Sequence, residues 1–141
     1  MAGWTDCRRF DQFEWDENKE ILVGRAGVYQ FGFFYAEEFK PKYIGRVVWT
    51  PSGWDFYKRF NAYKNNPHNE EIGRRVRHYR NTLWFRVMVV SDPAWTESKY
   101  LLDDLNQYGQ FEVFEWNGAI SRYAETYYKH DWQSEYSDAY T

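Results

Sequence analysis

Two runs of β-prone residues, GVYQFGFFY at 27–35 and KYIGRVVW at 42–49, stand six residues apart in this chain. Aromatic and β-branched side chains suit the pleated, half-buried surface of a sheet. The polar link AEEFKP between them has the composition of a turn, so the pair reads as an antiparallel hairpin. TPSG breaks the second run, and in WDFYKRFNAYKN the residues Phe56, Phe60 and Tyr63 recur at helical spacing until Asn65, Asn66 and Pro67 end the helix. A second helix is expected over 69–79, with Ile72, Val76 and Tyr79 inward. LWFRVMVV, at 83–90, is the strongest strand signal in the chain. SDPAWTES then stops that strand and opens a helix with Leu101, Leu105 and Tyr108 as its buried stripe and Gly109 just past its end. FEVFEW, at 111–116, alternates with the strand period and reads as an edge strand. The expected order is β-β-α-α-β-α-β.

A chain of 141 residues suits one compact domain. Residues 1–24 are polar and mixed in charge, with Trp4, Phe10, Phe13 and Trp15 spaced by acids. They read as an arm that packs on the domain rather than forming its core, closing in a short strand at Ile21, Leu22 and Val23. Residues 118–141 form an acidic, tyrosine-rich tail, expected to be helical at first and then disordered. Aromatic residues make up 23%, more than a minimal core uses, so many rings are expected to serve contacts. The formal charge of −3 argues against a uniformly basic nucleic-acid binder and moves the question to local charge. Cys7 is the one cysteine, which excludes an internal disulfide and a thiolate-built metal site. With no apolar leader and no run of bilayer length, the expectation is a soluble, cytoplasmic chain.

GVY at 27–29, YIG at 43–45, and Arg59 with Tyr63 four residues on in the following helix resemble the GIY-YIG nuclease domain. That family carries its two tripeptides on adjacent strands and an Arg, followed by an aromatic or His, on the next helix. The resemblance covers roughly 25–117. It implies an α+β domain with a central, mostly antiparallel three-stranded sheet flanked by helices, here with an added C-terminal strand and tail. It also implies a metal-dependent DNA endonuclease, and stand-alone members act in phages, restriction and repair; the small size and unusual composition suggest a phage setting. Two departures stand out. VVWTPSGWDFYK lengthens the link from Gly45 to Arg59, and its Trp49 and Trp54 are placed to read DNA. For the family's metal-binding Glu the best match is Glu97, although Ala94 is one residue out of place; Asp103 and Asp104 are substitutes. The family's terminal Asn matches Asn117 if FEVFEW is an insertion, with Asn106 as second choice.

Hydrolysis of a phosphodiester needs a base or positioned water, charge neutralisation on the phosphoryl oxygens and help for the leaving alkoxide. A phenol titrates near pH 10 in water and accepts a proton at neutral pH only where cations favour phenolate. By the resemblance, Tyr29 is the base or water-positioning group, Tyr43 a supporting phenol, Arg46 and Arg59 the electrostatic clamp, and Tyr63 a further hydroxyl. Glu97 would hold a single Mg²⁺ or Mn²⁺, water and phosphate oxygens completing its shell. Gly45 would let a scissile phosphate approach the backbone.

GRRVRHYR places Arg74, Arg75, Arg77 and Arg80 within seven residues, a basic helix face suited to tracking phosphates. Lys58, His68 and Asn117 are further candidate DNA contacts. Specificity is expected from the Trp-bearing loop, the arms, a homodimer or a targeting partner. Two rivals stay open: a GIY-YIG-like module that binds nucleic acid or protein without cutting, and an unrelated aromatic-rich binding domain.

Overall fold

The computed structural model describes residues 3–51, 53–65 and 71–117. At its centre is strand β2, Gly27–Tyr35, buried at each of its first six positions, as a strand with a neighbour on each side must be. It pairs antiparallel with β3, Glu38–Val47, and with β4, Trp84–Val89. The outer edge of β4 is taken by β1, Arg8–Arg9, giving the order β1-β4-β2-β3. Gly27 is required at the start of β2: its φ is 153°, and a Cβ there would run into the Met88 carbonyl of β4.

Strand alternation sorts the side chains into two layers. Tyr29, Phe31, Tyr43 and Val47 face α1 (Asp16–Leu22), α2 (Phe56–Asn65) and α3 (Glu71–Tyr79), with Phe10, Phe13, Leu22, Phe56, Phe60, Ile72 and Val76 packed among them. Val28 and Ile44 face the other way, against Leu101 of α4 (Pro93–Tyr108) and Phe114. Helix α2 presents Phe56, Phe60 and Tyr63 one and two turns apart, and Asp55 caps it by accepting from the Lys58 N–H at 2.7 Å. The same carboxylate accepts from the Gly24 N–H at 2.8 Å, which fixes α2 against the entry to β2. Helix α4 starts at Pro93 under an Asp92 cap and stops at Gly109, whose φ of 74° is left-handed and whose N–H reaches the Leu105 carbonyl at 2.7 Å.

The α+β class and the three long strands with their helices follow the sequence, and several details correct it. Ile21 and Leu22 end helix α1 instead of forming a strand with Val23, because Lys19 and Val23 close helical bonds to the Trp15 and Lys19 carbonyls. Phe10, Phe13 and Leu22 lie in the main core, so this stretch is not an arm outside it. FEVFEW is not a strand: the Asp104 carboxylate takes the N–H groups of Val113 and Phe114, and the Trp116 N–H alone bonds β3, at the Lys42 carbonyl. The fourth strand is instead N-terminal, β1. The hairpin turn is only Ala36–Glu37, both at positive φ (52° and 66°), so FKP belongs to β3. Tyr79 and Tyr108 are 40% and 48% exposed and so are not buried as expected. Among the described residues no helix is long and apolar enough to cross a membrane.

Candidate functional site

Tyr29 and Gly45 sit opposite one another on β2 and β3. The Tyr29 ring leans across the glycine, and a Cβ on Gly45 would overlap the phenol carbon and oxygen. The gap at Gly45 is therefore filled from inside by Tyr29 and is not an opening for phosphate on that face, which corrects the expectation. Tyr29 is 1% exposed, and its hydroxyl shares a 2.5 Å hydrogen bond with that of Tyr63 on α2. Tyr43 and Phe60 close the ring in, at centroid distances of 6.2 and 5.5 Å. Burial, first, and then the neighbouring phenols Tyr63 and Tyr43 push the Tyr29 phenol well above its ordinary range, Arg59 pulling weakly the other way. The Tyr29 phenol is thus buried and holds its proton more tightly than a phenol in water.

Arg59 lies one turn before Tyr63 on α2. Its guanidinium carbon sits 5.2 Å from the centre of the Trp54 ring, and its Nε is buried without an acceptor. Among the described residues Arg59 forms no ion pair with a carboxylate. Asp55 orients this turn, its carbonyl accepting the Arg59 N–H at 3.1 Å. The sequence reading passed over Asp55, although an Asp just before the first periodic residue of a helix is a capping signal. Trp49 and Trp54 are 59% and 41% exposed on the loop before α2, and Lys58 is exposed beside them.

On the opposite side of β3, Arg46 donates through Nη1 to Glu97 Oε1 at 3.2 Å. Ile44 and Arg46 alternate with Tyr43 and Gly45, so this pair lies on the α4 side. Glu97 is buried, and desolvation pushes its carboxyl up to about 7, with Arg46 opposing that rise. Of the substitutes, Asp103 is exposed and Asp104 is committed to the backbone of the 113–114 turn. No group of three or more His, Cys, Asp or Glu that could hold a metal occurs among the described residues. Of the three carboxylates Glu97, Asp103 and Asp104, Glu97 alone is neither exposed nor committed to backbone, and it is already ion-paired to Arg46.

The remaining candidates divide. Asn117 accepts the Ile44 N–H at 3.0 Å and donates to the Ile44 carbonyl at 2.9 Å, clasping the middle residue of YIG instead of pointing to a ligand. Arg77 donates to the Tyr63 carbonyl at 2.9 Å and ties α3 to α2. Arg75 pairs with Glu71 at 3.1 Å and lies over Trp116. Arg74 and Arg80 are exposed and make no ion pair among the described residues. His68 lies outside the described residues.

The structure thus brings Tyr29, Tyr43, Tyr63 and Arg59 together on the α2 side and Arg46 with Glu97 on the α4 side, the edge strand β3 between them. Protein-family models, curated proteins and solved structures yield no match for this chain. Among the described residues its class is an α+β fold with a four-stranded antiparallel sheet and four α-helices.

Proposed function

We propose that this chain is a metal-dependent DNA endonuclease of GIY-YIG type, working at the outer edge of β3 around Gly45. The observation that carries the reading is Arg59: a guanidinium with a buried, orphaned Nε, held by Trp54 beside the Tyr29–Tyr63 pair. A phosphate oxygen is the natural acceptor for such a group. Chain order supports the reading as well, with GVY on the central strand, YIG on the edge strand and Arg59 on the helix that follows.

In this reading a water oxygen bonds to phosphorus as the bond to the leaving oxygen breaks; that oxygen takes up a proton, and the water gives one up to solvent. Arg59 from one face and Arg46 from the other bind the phosphoryl oxygens and offset their growing charge. Tyr43, half-buried, is the phenol that reaches substrate. Tyr29 and Tyr63 hold the turn of α2 that carries Arg59. Glu97 would hold Mg²⁺ or Mn²⁺, which when bound polarises a phosphoryl oxygen.

A nicking assay on supercoiled plasmid tests this. Wild type should cut only with Mg²⁺ or Mn²⁺, Arg59→Ala should lose about 100-fold or more in rate, and Glu97→Ala should not cut. Tyr29→Phe, acting through Tyr63, should lose less. A wild type that retards DNA without cutting it would instead be a binding module, the second reading, which the single carboxylate and the sealed Tyr29 favour. A chain that does neither returns the aromatic-rich binding domain.

A further inference from the structure

At the turn end of the hairpin lies an open cavity of about 700 Å³ that the proposed cutting site does not use. Phe33, Tyr35, Tyr79, Trp84 and Trp116 line it. Phe33 is the support: Tyr79 and Trp116 meet it edge-on at 5.4 and 5.6 Å, and Tyr35 stands 6.4 Å away. Tyr35 and Tyr79, thus braced, are 55% and 40% exposed. Rigid, half-open rings of this kind are stacking platforms.

Charge sorts the surroundings. The cations at the cavity each have an acid: Arg9 pairs with Asp11 at 2.6 Å and Lys42 with Glu115 at 3.1 Å. The cavity is therefore close to neutral. Tyr79 also lines a second groove of about 530 Å³, along α3, with Glu71, Arg74, Arg75 and His78. There Glu71 answers Arg75, which leaves Arg74 as surplus positive charge, and exposed Arg80 follows next in the chain. A neutral aromatic cavity joined through one tyrosine to a cationic groove matches a polymer with flat, uncharged units on an anionic backbone.

We infer that this pair of grooves binds single-stranded nucleic acid, a base entering the aromatic cavity against the exposed side of Tyr79, whose other side stacks on Trp116, while the backbone follows Arg74 and Arg80. Bases in a duplex are stacked and paired, and do not present a face to such a cavity. Phe33 stands four residues along β2 from Tyr29, roughly 13 Å at strand rise, and both belong to the same face. The aromatic cavity therefore lies on the same side of the sheet as the Tyr29 ring of the proposed cutting site. The inference rests on the nuclease reading for its choice of nucleic acid over another polymer.

The test is titration of the full chain, in EDTA so that nothing is cut, with a dodecameric oligothymidylate and with a duplex of equal length, followed by tryptophan fluorescence. Single strand should bind at least tenfold tighter than duplex and quench the signal. Tyr79→Ala should weaken single-strand binding by about 5- to 100-fold, the range for loss of one stacked base. Tyr79→Leu, which keeps apolar volume against Phe33, should do the same with an unchanged melting curve. Replacing Arg74 and Arg80 by Ala should lower the salt dependence of single-strand binding by one to two phosphate contacts. Equal affinity for the two nucleic acids, indifference to both Tyr79 variants, or binding of a β-linked hexasaccharide in place of the oligonucleotide each overturns the inference. Plasmid nicking by wild type, run in parallel, separates the two claims. A chain that nicks without preferring single strands keeps the nuclease reading and loses this one; a chain that binds single strands through Tyr79 but never nicks does the reverse.

Discussion

The two ends of the β2–β3 hairpin are built on opposite principles. At the Gly27–Gly45 end, both glycines stand where a Cβ would collide, one with the Met88 carbonyl and the other with the Tyr29 phenol. At the turn end, Ala36 and Glu37 take left-handed backbone that glycine would adopt without strain. Around the first end the rings are sealed; around the second they are half open. Close packing fixes Tyr29, Tyr63 and with them Arg59, while the other end keeps surface available for a ligand.

Glycine substitutions should therefore change stability in opposite directions at the two ends. The largest effect is expected from Gly27→Ala, which forces β2 away from β4 and should lower unfolding free energy by about 3 kcal/mol in urea melts. An unchanged midpoint would show that β4 can shift without loss. Next comes the buried carboxyl paired with Arg46, on the other side of β3. Glu97 holds its proton up to about 7 in the folded chain, against an ordinary carboxyl value of 4.5. Below about 4.5 both folded and unfolded states carry the proton, and the stabilisation is complete. As pH rises through 4.5 to 7 the unfolded state loses its proton first, so stability falls by an amount on the order of 2–3 kcal/mol. Glu97→Gln should flatten that slope, and so should millimolar Mg²⁺ if the carboxylate holds it; parallel slopes in wild type and variant would remove the burial argument.

Gly45→Ala is expected to cost about 2 kcal/mol by displacing the Tyr29 ring. It should also uncouple Tyr29 from Tyr63, visible as increased tyrosine solvent exposure in second-derivative absorbance. Smallest, and of opposite sign, Ala36→Asn with Glu37→Gly should stabilise by about 1 kcal/mol through the two-residue turn. A loss there instead of a gain would mean that the Glu37 side chain contributes something the backbone argument misses.

These contrasts also explain what the sequence disclosed. β2, β3 and β4 were legible because their runs are rich in aromatic and β-branched residues, and α2 because Phe56, Phe60 and Tyr63 keep helical spacing. β1 was not legible, since two arginines carry no strand signal and pair with β4 only through tertiary contact. FEVFEW failed for the reverse reason: its alternation is real, but the Asp104 carboxylate captures the backbone N–H groups that a strand would have used. The site divides in the same way. Residue types near Gly45 could be named from the tripeptides and the Arg helix. That Tyr29 is sealed, that Arg46 and Glu97 lie across the strand from it, and that Arg77 is spent on the Tyr63 carbonyl depend on burial and facing, which only the assembled sheet decides.

The Asn117 clasp has a consequence of another kind. β3 is an outermost strand, and such a strand offers its unused N–H and C=O groups to any extended chain nearby, the first step in edge-to-edge aggregation. At Ile44 one carboxamide occupies both groups, and at Lys42 the Trp116 N–H occupies the carbonyl. A single side chain and one backbone bond thus cover edge groups of β3 at Lys42 and Ile44, and Asn117→Ala should lower the protein concentration at which the chain begins to self-associate.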